Sequence, residues 1–233
     1  MSEIVTLSRR GTLGGPLEVN GVTADRFAGL AEREIAALPV RLGARAARLG
    51  DFFDVRGERS ARVRIEGDVA LVHGLGAGMA GGELVIDGDA GRRVAAGMTG
   101  GEIVVTGSAG ADVAARARRG LVVVAGDVGD DAARGMVAGT LVVFGHTGTR
   151  PGRGSKRGSI VALGGIAVPV TYWYVCTYQP PHVRLTLTYL RRHYGLAVDR
   201  RILDGLYRRH CGDAGNPGRG EILEWVDARA SAG

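Results

Sequence analysis

The apolar positions in the middle of the chain fall into short β-branched runs, each bracketed by glycine. Gly82-Glu-Leu-Val-Ile-Asp-Gly88, Gly101-Glu-Ile-Val-Val-Thr-Gly107, Gly120-Leu-Val-Val-Val-Ala-Gly126, Gly139-Thr-Leu-Val-Val-Phe-Gly145 and Gly158-Ser-Ile-Val-Ala-Leu-Gly164 share one register, starting every 19 residues. Glycine returns at Gly91, Gly110, Gly129 and Gly148, and Gly-Met pairs recur at Gly78-Met79, Gly97-Met98 and Gly135-Met136. An earlier, irregular turn of the same pattern is visible in Val63-Arg-Ile-Glu-Gly67. A fixed short period is the mark of a solenoid. No repeat contains ten or so residues at helical spacing, so each predicts one short strand and glycine-rich corners at positive φ. Stacked as parallel strands about 4.8 Å apart, five regular coils span roughly 20–25 Å. The expected fold class is mainly β: a right-handed parallel β-helix of 19-residue coils, with a small N-terminal α/β cap and a C-terminal helical extension.

The columns of this stack follow from the register. Leu84, Ile103, Val122, Leu141 and Ile160 form one inward ladder, and Ile86, Val105, Val124, Val143 and Ala162 form a second. Alternation along a strand turns the residues between them outward. Those residues are Val85, Val104, Val123, Val142 and Val161, an apolar strip on the outside. Such a strip needs a cover, either the chain's own C-terminal segment or a partner protein, and these five valines are the candidate partner interface. Flanking positions begin polar (Glu83, Asp87, Glu102, Thr106) and turn apolar in later coils (Leu121, Ala125, Phe144, Leu163).

The flanks read differently. Residues 1–20 alternate and predict one or two strands, and Thr23-Ala-Asp-Arg opens a helical pattern that continues to Pro39. The segment Leu49-Gly-Asp-Phe-Phe-Asp-Val55 leads into the first coil. After Gly165 the glycine period stops, and Val183 to Gly195 and Arg200 to Gly212 are amphipathic helix candidates. The second would gather Ile202, Leu203, Leu206, Tyr207 and His210 on one face. The expected division is a cap over residues 1–62, the β-helix over 63–164, and a docking extension over 165–233.

Composition narrows the chemistry. Hydrophobic residues make up 45% and aromatics 5%, with 40 glycines, so the core is aliphatic. No apolar run approaches the roughly 18 residues of a membrane span. The start Met1-Ser2-Glu3 reads as a cytoplasmic N-terminus, and two cysteines, Cys176 and Cys211, predict no disulfide framework. Gly76-Ala-Gly78-Met-Ala-Gly81 matches a dinucleotide-binding spacing, but a strand follows it where the phosphate site needs a helix. His73, His182, His193 and His210 show no metal-ligand spacing with either cysteine, and His146 falls at a coil corner where Asp89, Ser108 and Asp127 stand in other coils. No nucleophile elbow or zinc motif is present, so no catalytic residue and no metal ligand is assigned.

Net charge is +6, carried by arginine with Lys156 as the single lysine. Arg92, Arg93, Arg116, Arg118, Arg119, Arg134, Arg150, Arg153, Lys156 and Arg157 fall at comparable coil positions. A column of like charge points to an acidic ligand along it, whereas a nucleic-acid groove would need interleaved aromatics that this region lacks.

The repeat Gly-x-Ile-x-Val-x-Gly-x-x-Gly with its Gly-Met pairs resembles the Gly-x-Gly-x-Gly β-helix domain of the large glutamate synthase subunit. Three further segments resemble the C subunit of formylmethanofuran dehydrogenase and of its bacterial counterpart, the formyltransferase/hydrolase complex. They are Leu30-Ala-Glu-Arg-Glu-Ile-Ala-Ala-Leu-Pro39, Leu49–Val55 and Gly218-Arg-Gly-Glu-Ile-Leu-Glu-Trp225, although the coils number fewer than is usual in that family. The resemblance implies a non-catalytic scaffold subunit in tetrahydromethanopterin-linked one-carbon metabolism. It implies a formyltransferase subunit and an amidohydrolase-like subunit as partners in the bacterial form, towards which the Arg/Ala/Gly-rich composition leans. The archaeal form instead couples to a molybdenum or tungsten pterin subunit. It further implies a methylofuran- or methanofuran-type carrier in the complex and no tightly held cofactor on this chain. A polyglutamate tail on that carrier would suit Arg116, Arg119, Arg150 and Arg153 as guiding residues. The alternatives are a glutamate synthase-like domain working with separate amidotransferase and synthase chains, and a self-standing β-helix enzyme or ligand binder.

Overall fold

The computed structural model describes residues 4–215 and 219–226. Met1-Ser2-Glu3 and Gly218, the first residue of the tail motif, lie outside the described residues. The N-terminal part contains β1 (Val5–Arg9), β2 (Leu17–Glu18), α1 (Ala24–Phe27), α2 (Glu32–Ala36), β3 (Pro39–Leu42) and β4 (Arg45–Arg48). A 3-10 turn at Leu49–Asp51 leads to β5 (Phe53–Arg56), β6 (Arg62–Glu66) and β7 (Val72–His73). The repeats then contribute one strand each: β8 (Glu83–Ile86), β9 (Glu102–Val105), β10 (Leu121–Val124), β11 (Thr140–Val143) and β12 (Ser159–Ala162). The chain continues through β13 (Trp173–Tyr178), α3 (Pro181–His193), α4 (Arg200–Leu203), β14 (Leu206–Gly212) and β15 (Gly220–Val226).

The structure is mainly β, and the repeats stack in register. Leu84 faces Ile103, Ile103 faces Val122, Val122 faces Leu141 and Leu141 faces Ile160, all in parallel pairs. A second column of parallel bridges joins Val69, Ala90, Ala109, Val128 and Thr147. At a third point the amides of Ala95, Ala114, Ala133 and Gly152 donate to Leu75, Val94, Val113 and Ala132 in the preceding repeat, at 3.0, 2.8, 2.7 and 2.8 Å. Both predicted inward ladders are buried, every member at 2% exposure or less. Met79, Met98 and Met136 fill the same aliphatic interior.

Both flanks extend the sheet built by the repeats. Its order is β13-β14-β15-β12-β11-β10-β9-β8-β6-β1-β5, eleven strands, with a separate four-stranded sheet β4-β3-β2-β7 at the N-terminal side. β1 lies parallel to β6 and antiparallel to β5, and β15 lies parallel to β12.

Three expectations need correction. The helix expected from Thr23 to Pro39 is two short helices, α1 and α2. Between them Ala31 is extended and its amide donates to the Glu34 carboxylate at 2.8 Å, which restarts the helix after Gly29. The helix expected over Arg200–Gly212 stops at Leu203, and β14 occupies the rest, hydrogen-bonded between β13 and β15. Among the described residues the C-terminal extension is therefore three strands with one long helix and the short α4, not a helical arm. Sheet pairing on both sides of β14 outweighs a helical apolar spacing that Gly205 already weakens.

The third correction concerns glycine. Gly82, Gly101, Gly120 and Gly139 do sit at positive φ, as expected of corners. Gly107, Gly126 and Gly145 do not; they are required for close approach. A Cβ at Gly107 would lie 2.3 Å from Asp89 Oδ1, and one at Gly145 2.2 Å from Asp127 Oδ1. Other left-handed corners are built from residues with side chains: Arg93, Asp112, Asp131 and Arg150 form one such column, and Ala95, Ala114 and Ala133 another.

Candidate functional site

The outward valine column is covered by the chain itself. Val104, Val123, Val142 and Val161 are buried with Val183, Leu187 and Leu190 of α3, and Val198, Leu203, Tyr207 and Leu223 complete the layer. Residues 183, 187 and 190 share one helix face, so α3 seals the strip as a single apolar stripe. Four of the five valines assigned to a partner interface are thereby used within the chain, and Val85 alone stays half-buried. The physical reason is effective concentration: a tethered apolar helix meets the strip before any separate chain can.

Polar contacts fasten the end of this helix. The phenols of Tyr189 and Tyr194 both donate to Glu102 Oε2, at 2.8 and 2.7 Å. The His193 ring stacks on Tyr189 at 5.2 Å between centroids and lies 3.7 Å from Glu83 Oε1. Burial, then the hydrogen bond and charge of Glu102, push the Tyr194 phenol well above the usual tyrosine range. Beyond the helix end a groove of about 250 Å³ runs over Val85 and Val104, rimmed by Arg62, Glu83, Arg64 and Asp87. Its charges are already matched, Arg62 to Glu83 at 3.2 Å and Arg64 to Asp87 at 2.6 Å.

The arginine stripe is interrupted by carboxylates. Arg150 pairs with Asp131 at 2.8 Å, and Arg153 lies 3.3 Å from the same carboxylate. Arg134 pairs with Asp112 at 2.7 Å, and Arg92 approaches that aspartate to 3.7 Å. The Arg150 hydrogen bond holds the Asp131 carboxyl below the ordinary range. Arg116 and Arg119 are exposed and make no ion pair among the described residues. The four assigned arginines thus divide into a compensated pair and an open pair.

His146 sits at the coil corner, where its own amide is capped. Asp127 Oδ1 accepts from the His146 amide at 2.6 Å, as Asp89 accepts from Ser108 and Ser108 from Asp127, at 2.7 and 3.1 Å. The side chains of Asp89, Ser108 and Asp127 each cap the amide one repeat above. His210 lies across from Tyr174 and beside Glu224, whereas Cys176 and Cys211 are free and partly buried. No cluster of three or more potential metal ligands occurs among the described residues, and none of their helices is long and apolar enough to cross a membrane.

No protein-family model matches the chain. The C subunit of the molybdenum-containing formylmethanofuran dehydrogenase 1 of Methanothermobacter thermautotrophicus is 40% identical over 78 residues, covering 33% of this chain and 20% of that protein. The C subunit of the formyltransferase/hydrolase complex Fhc of Methylorubrum extorquens is 32% identical over 89 residues, covering 38% of this chain and 34% of that one. The matched segments thus span about a fifth to a third of these curated relatives. A chain in the crystal structure of the formyltransferase/hydrolase complex (FhcABCD) of Methylorubrum extorquens with methylofuran superposes with a TM-score of 0.65 and 30% identity. That match covers 95% of this chain and all of the other. The chain belongs to the C-subunit family of these complexes.

Some features of this C-subunit family member escaped the sequence. The Tyr189–Tyr194–Glu102 fastening joins residues about ninety positions apart, and no local pattern announces it. The aspartates among the arginines were readable, because Arg93, Asp112, Asp131 and Arg150 fall 19 residues apart in one column. The exposed outer edge of β13 was hidden by reading β14 as a helix.

Proposed function

We propose that this chain is a non-catalytic structural subunit of a formyltransferase/hydrolase-type complex in tetrahydromethanopterin-linked one-carbon metabolism. The observation that carries the reading is its likeness to a chain of the methylofuran-bound FhcABCD complex across 95% of its own length. On this reading the stacked repeats are a right-handed parallel β-helix over residues 63–164, capped by residues 1–62 and closed by residues 165–233. A stack bonded from repeat to repeat at several points is stiff, which suits a part that holds catalytic subunits at fixed separation. The partners are an amidohydrolase-like subunit and a formyltransferase subunit, acting in the cytoplasm on a methylofuran-type carrier.

Carrier guidance rests chiefly on Arg116 and Arg119, whose charges are not answered by neighbouring carboxylates among the described residues, while Arg150 and Arg153 stand behind Asp131. An open cationic pair attracts a polyanionic tail in a salt-dependent way. The test is purification of the tagged chain from its host with assay of formyl transfer and formate release in the isolated assembly. Both activities should travel with the chain; an assembly with glutamate synthase activity instead overturns the reading. Arg116→Glu with Arg119→Glu should raise the KM for the carrier and leave kcat in place. An unchanged KM in an intact complex removes the guiding role.

A further inference from the structure

We propose that the outer edge of β13, Trp173–Tyr178, receives an added strand from a different subunit, one flanked by acidic side chains. This rests on the reading of the chain as part of a heteromeric complex. It moves the principal docking surface away from the valine column, which α3 already occupies.

β13 and β5 are the two ends of the eleven-stranded sheet, and they differ in protection. An open sheet edge is a template for another strand, and proteins blunt it with charge, proline or a covering element. β5 reads Phe-Asp-Val-Arg and carries Asp54 and Arg56, with Arg10 paired to Asp54. β13 reads Trp-Tyr-Val-Cys-Thr-Tyr and carries no charge. Its inner side is paired with β14, and its outer side has no strand partner among the described residues. Three consecutive large apolar residues are exposed there, Trp173 at 55%, Tyr174 at 57% and Val175 at 46%. Because successive side chains leave a strand on opposite faces, the strand offers aromatic surface on both. Strand addition combines main-chain hydrogen bonds with side-chain pockets of this kind.

Charge identifies the occupant. The strand next to the edge carries Arg208, Arg209 and His210 in succession, opposite Thr177, Cys176 and Tyr174. Arg209 is held by Glu221 at 2.9 Å, but Arg208 reaches Glu224 only at 3.9 Å and is exposed. At the end of the sheet where β13 begins, ahead of β15 and β12, Arg219, Lys156 and Arg157 are exposed and have no ion pair among the described residues. A second copy of this chain would set these cations against themselves, whereas a segment rich in Asp and Glu complements them.

The experiment uses the assembled complex and the isolated full chain. A photo-crosslinking residue at position 175 should link to another subunit, within an extended segment flanked by Asp or Glu. The amides of Trp173–Tyr178 should exchange at least ~100-fold more slowly in the complex than in the isolated chain. Val175→Lys, at an exposed site, should leave the Tm of the isolated chain unchanged and weaken assembly by at least about tenfold. Should that variant fold poorly, amide exchange in the unaltered chain carries the test. A crosslink to a second copy of this chain or to a basic segment overturns the proposal, as do β13 amides equally unprotected in both states. A complex that forms with β13 still open sinks this proposal alone; a chain that joins no other subunit sinks the scaffold reading with it.

Discussion

The Tyr194 phenol donates a 2.7 Å hydrogen bond to Glu102 Oε2, pinning the end of α3 to β9. Tyr189 donates to the same oxygen at 2.8 Å, so one carboxylate receives both phenols. Hydrogen bonds to a charged group contribute more than neutral ones, and partial exposure tempers them here. Tyr194→Phe should destabilise the fold by about 1–2 kcal/mol. Urea unfolding of the variant measures the loss, and a double-mutant cycle with Glu102→Gln should show the two residues coupled. Additive effects would mean that the pin carries no load.

Leu187 is fully buried between α3 and the valine column. Leu187→Ala leaves a cavity in that layer and should cost about 2–5 kcal/mol. Because the layer is separate from the aliphatic interior of the stack, α3 should lose its protection from amide exchange before the repeat strands do. Simultaneous loss in both would show that the covering layer and the stack unfold as one unit.

Arg116 sits at φ 58° on an exposed corner, in the left-handed region that favours glycine. Arg116→Gly should stabilise the fold by about 1 kcal/mol by removing that conformational cost. Gly107→Ala should act in the opposite direction, since the new methyl would meet Asp89 Oδ1 and the backbone of Gly88. Thermal unfolding of the two variants gives the comparison. Equal effects would show that the two classes of corner do not differ.

Alkaline pH should weaken the fold. Burial raises Tyr172 to about 12, while burial also raises Tyr207, and burial with Glu102 raises Tyr194. A raised pKa means that the folded chain keeps a proton the unfolded chain releases. The associated stability is complete below about pH 10 and drains as pH climbs through the folded values, by up to about 1.4 kcal/mol per pH unit for each group. Tyr172→Phe should flatten the fall between pH 10 and 12, measured as Tm against pH. An unaltered slope would exclude Tyr172 as a contributor.

The flanks show where sequence reading fails. Val183 to Gly195 reads as a helix and is one as far as His193, because its apolar spacing at Val183, Leu187 and Leu190 places one stripe on the valine column. Leu206 to Cys211 reads equally well as the next stripe of a helix, yet it is a strand. Locally only Gly205 counts against the second helix, and a single glycine does not decide it. The difference lies in β13 and β15, which stand ready on either side of β14 and satisfy its amides and carbonyls.

What the sequence determined by itself is the repeat: the step of 19, the two inward ladders, the outward valine column and the capped corners at Asp89, Ser108 and Asp127. Each is a contact between a residue and its counterpart one period away, so periodicity alone specifies it. Tertiary structure alone decided that α3 covers those valines, that two tyrosines meet Glu102, and that an uncharged strand is left at the sheet's edge. These join segments tens of residues apart with no shared period, and they are settled by which apolar surfaces and unpaired backbone groups remain once the stack has formed.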